Sequence, residues 1–247
     1  MKVIFSDAFY QSYTYDPAAA QGRMEAVMDV IRDKVTLVQA LPASEEDIAA
    51  CHTKFHIEDV RRMGIYDVAA IAAGGAIQAA ETGMSEPCFG LIRPPGHHAS
   101  SNSAWGFCFF NNMAIAIEKL KREGKIEKAH VLDIDLHFGD GTVNILQPKG
   151  YVSIHNPNSN DPATYLEQVR KNIPADVGVI GISAGFDNHK EDWGQVLSTD
   201  NYREIGRIVR EASAERKCGF FAILEGGYNH SVLGHNVLAL IEGMEGK

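Results

Sequence analysis

Short, largely apolar runs recur along this chain, and most of them end in residues able to do chemistry. Runs at 3–5, 89–92, 130–137, 151–155, 177–183 and 220–225 read as buried strands. Several are continuous rather than alternating, the pattern of parallel strands covered on both faces. Between them, segments 18–32, 68–80, 112–122, 201–214 and 231–242 read as helices. The 68–80 segment is dense in Ala and carries a Gly-Gly pair, which suits a helix packed closely on a sheet. Alternating β and α elements predict an α/β protein, a three-layer α/β/α fold with a mostly parallel central sheet. No repeat, low-complexity tract or Pro/Gly/Ser linker interrupts the pattern, so residues 1–247 are expected to form one domain.

Charge narrows the choice of partners. Lys plus Arg number 23 against 32 Asp plus Glu, a net charge of −9. An acidic chain without a basic run repels phosphate backbones, so nucleic acid is not expected as a partner. No apolar stretch approaches the roughly 18–20 residues that span a bilayer, so no membrane is expected either. The start of the chain has too short an apolar run for a signal peptide. Cys51, Cys88, Cys108 and Cys218 form no C-x-x-C pair, which excludes a zinc knuckle or a thioredoxin-like motif. The expectation is a reduced, cytoplasmic protein.

Polar clusters gather where the runs end. Arg93-Pro94-Pro95-Gly96-His97-His98 follows the 89–92 run, and Asp133, Asp135 and His137 close the 130–137 run. Ser183-Ala184-Gly185-Phe186-Asp187 and Glu225-Gly226-Gly227-Tyr228 close two more. In open α/β sheets, ligands bind outside the carboxyl ends of the strands.

Period two along a strand puts Asp133, Asp135 and His137 on one side, and Leu132, Ile134 and Leu136 on the other. A single acid at a strand end is ordinarily just solvated. Three ionisable groups on an apolar strand favour a divalent metal. Asp187 alone reads as a turn acid or helix cap. Joined to Asp135 and His137 it makes a third ligand, neutralising a +2 ion while leaving coordination positions open. His97 and His98 are either surface histidines or imidazoles held by the acids left over, Asp133 and Asp140. A carboxylate fixes the tautomer of an imidazole and raises its basicity, as a general base requires. Tyr228 is either ordinary packing or a phenol donor aimed at a developing oxyanion. The aromatic stretch from Trp105 to Asn111 reads mostly as core, with Phe107 beside Gly106 able to line a slot for an alkyl chain. Cys108 reads as a small buried hydrophobe.

Together these stretches resemble the histone deacetylase and acetylpolyamine amidohydrolase family of the arginase–deacetylase fold. The matching motifs are Arg93 to His98, Gly106 to Asn111, Asp133 to Thr142, Ser183 to Asp187 and Glu225 to Asn229, in the family's order. The resemblance runs from about Arg23 to the C-terminus. It implies a deacetylase or amidohydrolase holding zinc on Asp135, His137 and Asp187, a donor set that ferrous iron also accepts. His98 would be the general base and acid, bonded to Asp140, and His97 the second imidazole, held by Asp133. Tyr228 would polarise the substrate carbonyl, and Phe107 and Gly106 would flank the acyl-lysine-like chain. A structural potassium is also implied, on the main chain of Asp133, Asp135 and His137 with Ser153 and Ile154. Arg23 resembles the family's internal-channel arginine.

The chain departs from the family in its walls. Between His155 and Val177 the family's long loop, with its second tunnel aromatic, is absent, and the 56–69 stretch is short. The implied substrate is therefore a small or exposed acylated amine, or an acyl-lysine, unless a second subunit completes the tunnel. Two other readings compete. One is a non-catalytic, metal-stabilised binder of acylated small molecules. The other, an arginase-like di-manganese enzyme, needs a second set of bridging acids that the chain lacks.

Overall fold

The computed structural model describes residues 1–247. Its strands are β1 (Lys2–Phe5), β2 (Thr36–Gln39), β3 (Cys88–Gly90), β4 (Ala129–Asp133), β5 (Val152–His155), β6 (Val179–Ala184) and β7 (Gly219–Leu224). They form one sheet in the order β2-β1-β3-β7-β6-β4-β5. Every neighbouring pair is parallel, so the sheet is wholly rather than mostly parallel. Nine helices flank it in three layers: α1 (Arg23–Ile31), α2 (Glu45–Ala49), α3 (Lys54–Arg62), α4 (Tyr66–Gly83), α5 (Asn112–Arg122), α6 (Asp140–Leu146), α7 (Pro162–Lys171), α8 (Thr199–Arg216) and α9 (His230–Glu245).

The apolar runs become strands because both faces are covered. β4 and β6 are buried at every position. Each Val, Ile, Leu or Phe so buried contributes roughly 1.5–3 kcal/mol relative to exposure. β2 has no such signature: Thr36–Gln39 is an edge strand with most of its residues exposed, and the sequence pattern missed it. The Ala-rich segment is the long helix α4, and its Gly74 is required by close approach, because a Cβ there would collide with the Leu41 carbonyl. Ser198 and Asn201 form a reciprocal capping box at the start of α8, an arrangement that typically stabilises a helix by about 1 kcal/mol.

Strand order decides where chemistry can occur. β3, β7, β6 and β4 are consecutive in the sheet, and they carry the four polar clusters at their carboxyl ends. The pairing of Gly90 with Ile223 and of Ala184 with Leu224 brings together stretches far apart in sequence.

The 130–137 run is not one strand. β4 stops at Asp133, and the chain then turns. Asp133 Oδ1 accepts the Asp135 N–H (3.2 Å), and Asp135 Oδ1 accepts the His137 N–H (2.9 Å). Such local side-chain bonds compete with the sheet ladder. The expected apolar side dissolves accordingly: Ile134 is buried whereas Leu136 is 37% exposed.

Candidate metal centre and cleft

The turn after β4 and the loop after β6 bring Asp135, His137 and Asp187 together, with one ligand atom of each within 4.8 Å of the others. Backbone donors aim the two carboxylates. Asp135 Oδ2 accepts the Gly226 N–H (2.9 Å), and Asp187 Oδ1 accepts the Leu136 N–H (3.0 Å). Asp187 Oδ2 is buried without a hydrogen-bond partner, although His137 Nδ1 lies 3.1 Å away. A buried carboxylate oxygen left in this state is costly, and a divalent cation among three such donors would satisfy it. The donor set therefore fits the implied metal. Burial, then the charge of Asp135, push the Asp187 carboxyl up to about 7. The carboxylates of Asp135 and Asp187 beside Nδ1 raise the His137 imidazole to about 10. Burial acts to raise Asp135 too, but His97, His137 and the Gly226 N–H hold it well below the usual carboxylate range.

Two imidazole–carboxylate pairs stand beside the trio. His97 Nδ1 lies 3.1 Å from Asp133 Oδ2, and His98 Nδ1 lies 2.7 Å from Asp140 Oδ1. Both histidines are buried, and their rings lie 4.0 Å apart. Burial acts to lower His97, yet the charges of Asp135 and Asp133 raise it well above the usual histidine range. Burial and the neighbouring His97 lower His98 to about 4. Glu225 fixes the turn that carries both rings: its Oε2 accepts the N–H groups of Gly96 (2.7 Å) and His97 (3.2 Å). Its carboxyl is fully buried and is pushed up to about 7 by that burial.

A cleft of about 280 Å3 opens over these groups, lined by His97, His98, His137, Phe107, Tyr228 and two indoles, with no Asp, Glu, Lys or Arg in its wall. Trp105 lies on His98, with ring centroids 3.8 Å apart and planes inclined by 30°. Trp193 lies on Tyr228 at 4.2 Å, and Phe107 meets Tyr228 edge-on at 5.9 Å. Gly106 has φ +58, and a Cβ there would run into the His98 imidazole. Phe107 itself sits at φ 67, a left-handed conformation costing a non-glycine residue about 1–3 kcal/mol. The chain on either side of it is anchored. His52 Nδ1 meets the Ser100 carbonyl (3.0 Å), its Nε2 accepts the Asn111 N–H (2.9 Å), and His56 Nε2 bonds the Phe109 carbonyl (2.7 Å). On the opposite wall, Asp192 Oδ2 accepts the N–H groups of Tyr228 and Asn229, both at 2.8 Å. Beneath the cleft, the buried Arg23 donates to the carbonyls of Gly227 (2.9 Å) and Glu225 (2.6 Å).

Sequence reading missed four contributors. Trp105 was assigned mostly to core, yet it is 55% exposed; Trp193, Asp192 and the carboxylate of Glu225 received no role. A signal was present for the indoles: the chain's two tryptophans each precede a glycine, at Trp105-Gly106 and Trp193-Gly194, within a few residues of a motif. Trp193 stands as a second aromatic wall, supplied from the loop after β6 rather than from the missing 155–177 loop. The potassium ion gains no support. The Ser153 hydroxyl is engaged by His130 Nδ1 (2.8 Å) and the Ala129 carbonyl (3.4 Å), because strand register pairs Ser153 with His130 rather than with the Asp133 end of β4.

Comparison with known proteins agrees with this architecture. The family model for the histone deacetylase domain matches residues 62–174. A probable deacetylase from Archaeoglobus fulgidus is 30% identical, over 95% of this chain and 79% of its own. A histone deacetylase-like amidohydrolase from Pseudomonas aeruginosa is 29% identical, over 91% and 75% respectively. An acetylpolyamine amidohydrolase from Mycoplana ramosa is 27% identical, over 74% and 64%. The crystal structure of the HDA15 HD domain superposes with a TM-score of 0.86 at 19% identity, covering 99% of this chain and 89% of that one, which shows a shared fold. The chain belongs to the histone deacetylase family of deacetylases and amidohydrolases.

Proposed function

We propose that this protein is a metal-dependent amidohydrolase that removes an acyl group, acetyl first among them, from a small or exposed acylated amine. The observation that carries this reading is the orphaned Asp187 Oδ2, converging with Asp135 and His137 beside two imidazole–carboxylate pairs. Asp135, His137 and Asp187 would hold the cation. The ion the family implies is zinc, and ferrous iron suits the same donors. Bound there, it supplies a Lewis acid that polarises a carbonyl and acidifies water.

The chain's own groups supply the rest. Asp140 bonds His98 through Nδ1, leaving Nε2 free to take a proton from the attacking water and return it to the departing nitrogen. His97, buried between Asp133 and Asp135, places a second imidazole beside the same cation site. Burial and the nearby carboxylates keep Tyr228 a protonated phenol, able to donate to the carbonyl oxygen as negative charge develops there. Phe107, Gly106, Trp105 and Trp193 line an apolar slot that suits the methylenes of an acylated amine chain.

Metal analysis and an amide substrate panel on one preparation test this. Wild type should bind one divalent ion per chain and hydrolyse acyl-lysine or acetylpolyamine amides. Asp135→Ala should lose both properties. A metal-loaded wild type silent across the panel would instead favour a non-catalytic binder of acylated small molecules.

A further inference from the structure

The two imidazole–carboxylate pairs are held in different ways. The His97–Asp133 pair is enclosed, with side chains 4% and 0% exposed. In the second pair His98 is 3% exposed, but the Asp140 side chain is 36% exposed. An exposed carboxylate is free to change rotamer and take water in place of its partner. Yet both oxygens of Asp140 are occupied. Oδ1 faces His98 Nδ1, and Oδ2 accepts the indole Nε1–H of Trp105 at 2.9 Å. The same indole covers one face of the His98 ring at 3.8 Å. Trp105, Asp140 and His98 thus close a ring of contacts. Trp105 is itself 55% exposed, so core packing does not explain its position. Asp140 opens helix α6, where the helix dipole favours an ionised carboxylate and keeps it an acceptor for both donors.

We propose that Trp105 is a positioning residue. Its indole N–H and ring face hold the Asp140–His98 pair in register, doing at the mouth of the cleft what burial does for His97 and Asp133. The inference rests on the amidohydrolase reading for its kinetic consequence, though not for its structural one. Trp105 locks His98 in the Nδ1–H tautomer, with Nε2 facing the cleft.

Trp105→Phe keeps a ring and removes the N–H, whereas Trp105→Leu removes the stacking as well. In zinc-loaded protein, kcat should fall about 10–100-fold in Trp105→Phe, the usual cost of losing a partner that orients an active-site group. It should fall further in Trp105→Leu. In Trp105→Phe, which keeps a ring in the slot, KM and the thermal midpoint should change little, whereas Trp105→Leu, which removes part of the slot wall, should raise KM as well. In an Asp140→Asn background, Trp105→Phe should cost nothing more, because the two residues act as one unit. Imidazole 15N spectra should show a single Nδ1–H tautomer of His98 in wild type and a tautomer mixture in Trp105→Phe. A wild-type kcat in Trp105→Phe, a loss carried by KM alone, or a loss that multiplies fully in the Asp140→Asn background would overturn the proposal. An unchanged tautomer would do the same, and that readout decides the matter even if the wild type hydrolyses nothing.

Discussion

His97–Asp133 and His98–Asp140 use the same two functional groups, side by side, with opposite relations to solvent. The inner pair has an enclosed carboxylate, although the His97 ring borders the cleft. The outer one shares its carboxylate with water and is covered by an indole. Burial makes the inner pair a fixed element of the fold's electrostatics. The exposed Asp140 carboxylate is what sets the outer pair apart, and the proposed function gives that pair the proton exchange with substrate. On the proposed reading, this difference in enclosure separates a firmly held pair from one that exchanges protons.

The largest test of this division is a matched pair of substitutions. Asp133→Ala removes one of the two carboxylates that face the buried His97, and removing one partner of a buried ion pair costs on the order of 3–5 kcal/mol. Asp140→Asn alters a partly exposed acid and should cost less than about 1 kcal/mol of stability, while kcat falls. Denaturant titration of both variants reads the difference; equal losses of stability would erase the distinction. Next in size, Tyr228→Phe should retain metal and lower kcat by roughly 10²–10³-fold, the scale of one oxyanion donor. Near-normal turnover would remove the phenol from the chemistry.

A smaller effect concerns imidazoles buried with no acid at all. Burial, then His56, lower His52 to about 3, and burial, then His155, lower His130 to about 4. Their folded pKa lies below the unfolded value, so between about pH 4 and 6.5 the unfolded chain binds more protons. Stability should therefore rise with pH across that window and be lost as pH falls. Each group contributes at most about 1.4 kcal/mol per pH unit. Denaturation midpoints measured from pH 7 to 4.5 should show the slope, and His52→Gln should flatten it. His97, buried against carboxylates and shifted the other way, marks the contrast.

Much of the fold was legible because its cause is local. A strand covered on both faces must be apolar throughout, so the inner strands announced themselves; of the two edge strands, β5 was legible from Val152 and Ile154 and β2, more exposed, was not. Helix α5 matched its expected span of 112–122 because Asn111 caps it and basic residues close its last turn. The polar clusters were equally visible, each sitting where an apolar run stops. The period-two argument at Asp135 and His137 named the right neighbours for a wrong reason, since those residues lie in a turn beyond β4.

The order of residues along the chain therefore determined an α/β protein with reactive clusters at its strand ends, and the family motifs implied a role for most of their side chains. Only the tertiary structure decided that β7 inserts between β3 and β6, and so which clusters are neighbours. It alone placed Trp105 on His98, Trp193 on Tyr228 and Glu225 beneath the histidine turn. The reason is physical. Apolarity and capping are properties of a few consecutive residues, whereas strand order and the aim of an exposed indole are settled by pairings between segments that meet only when the chain has folded.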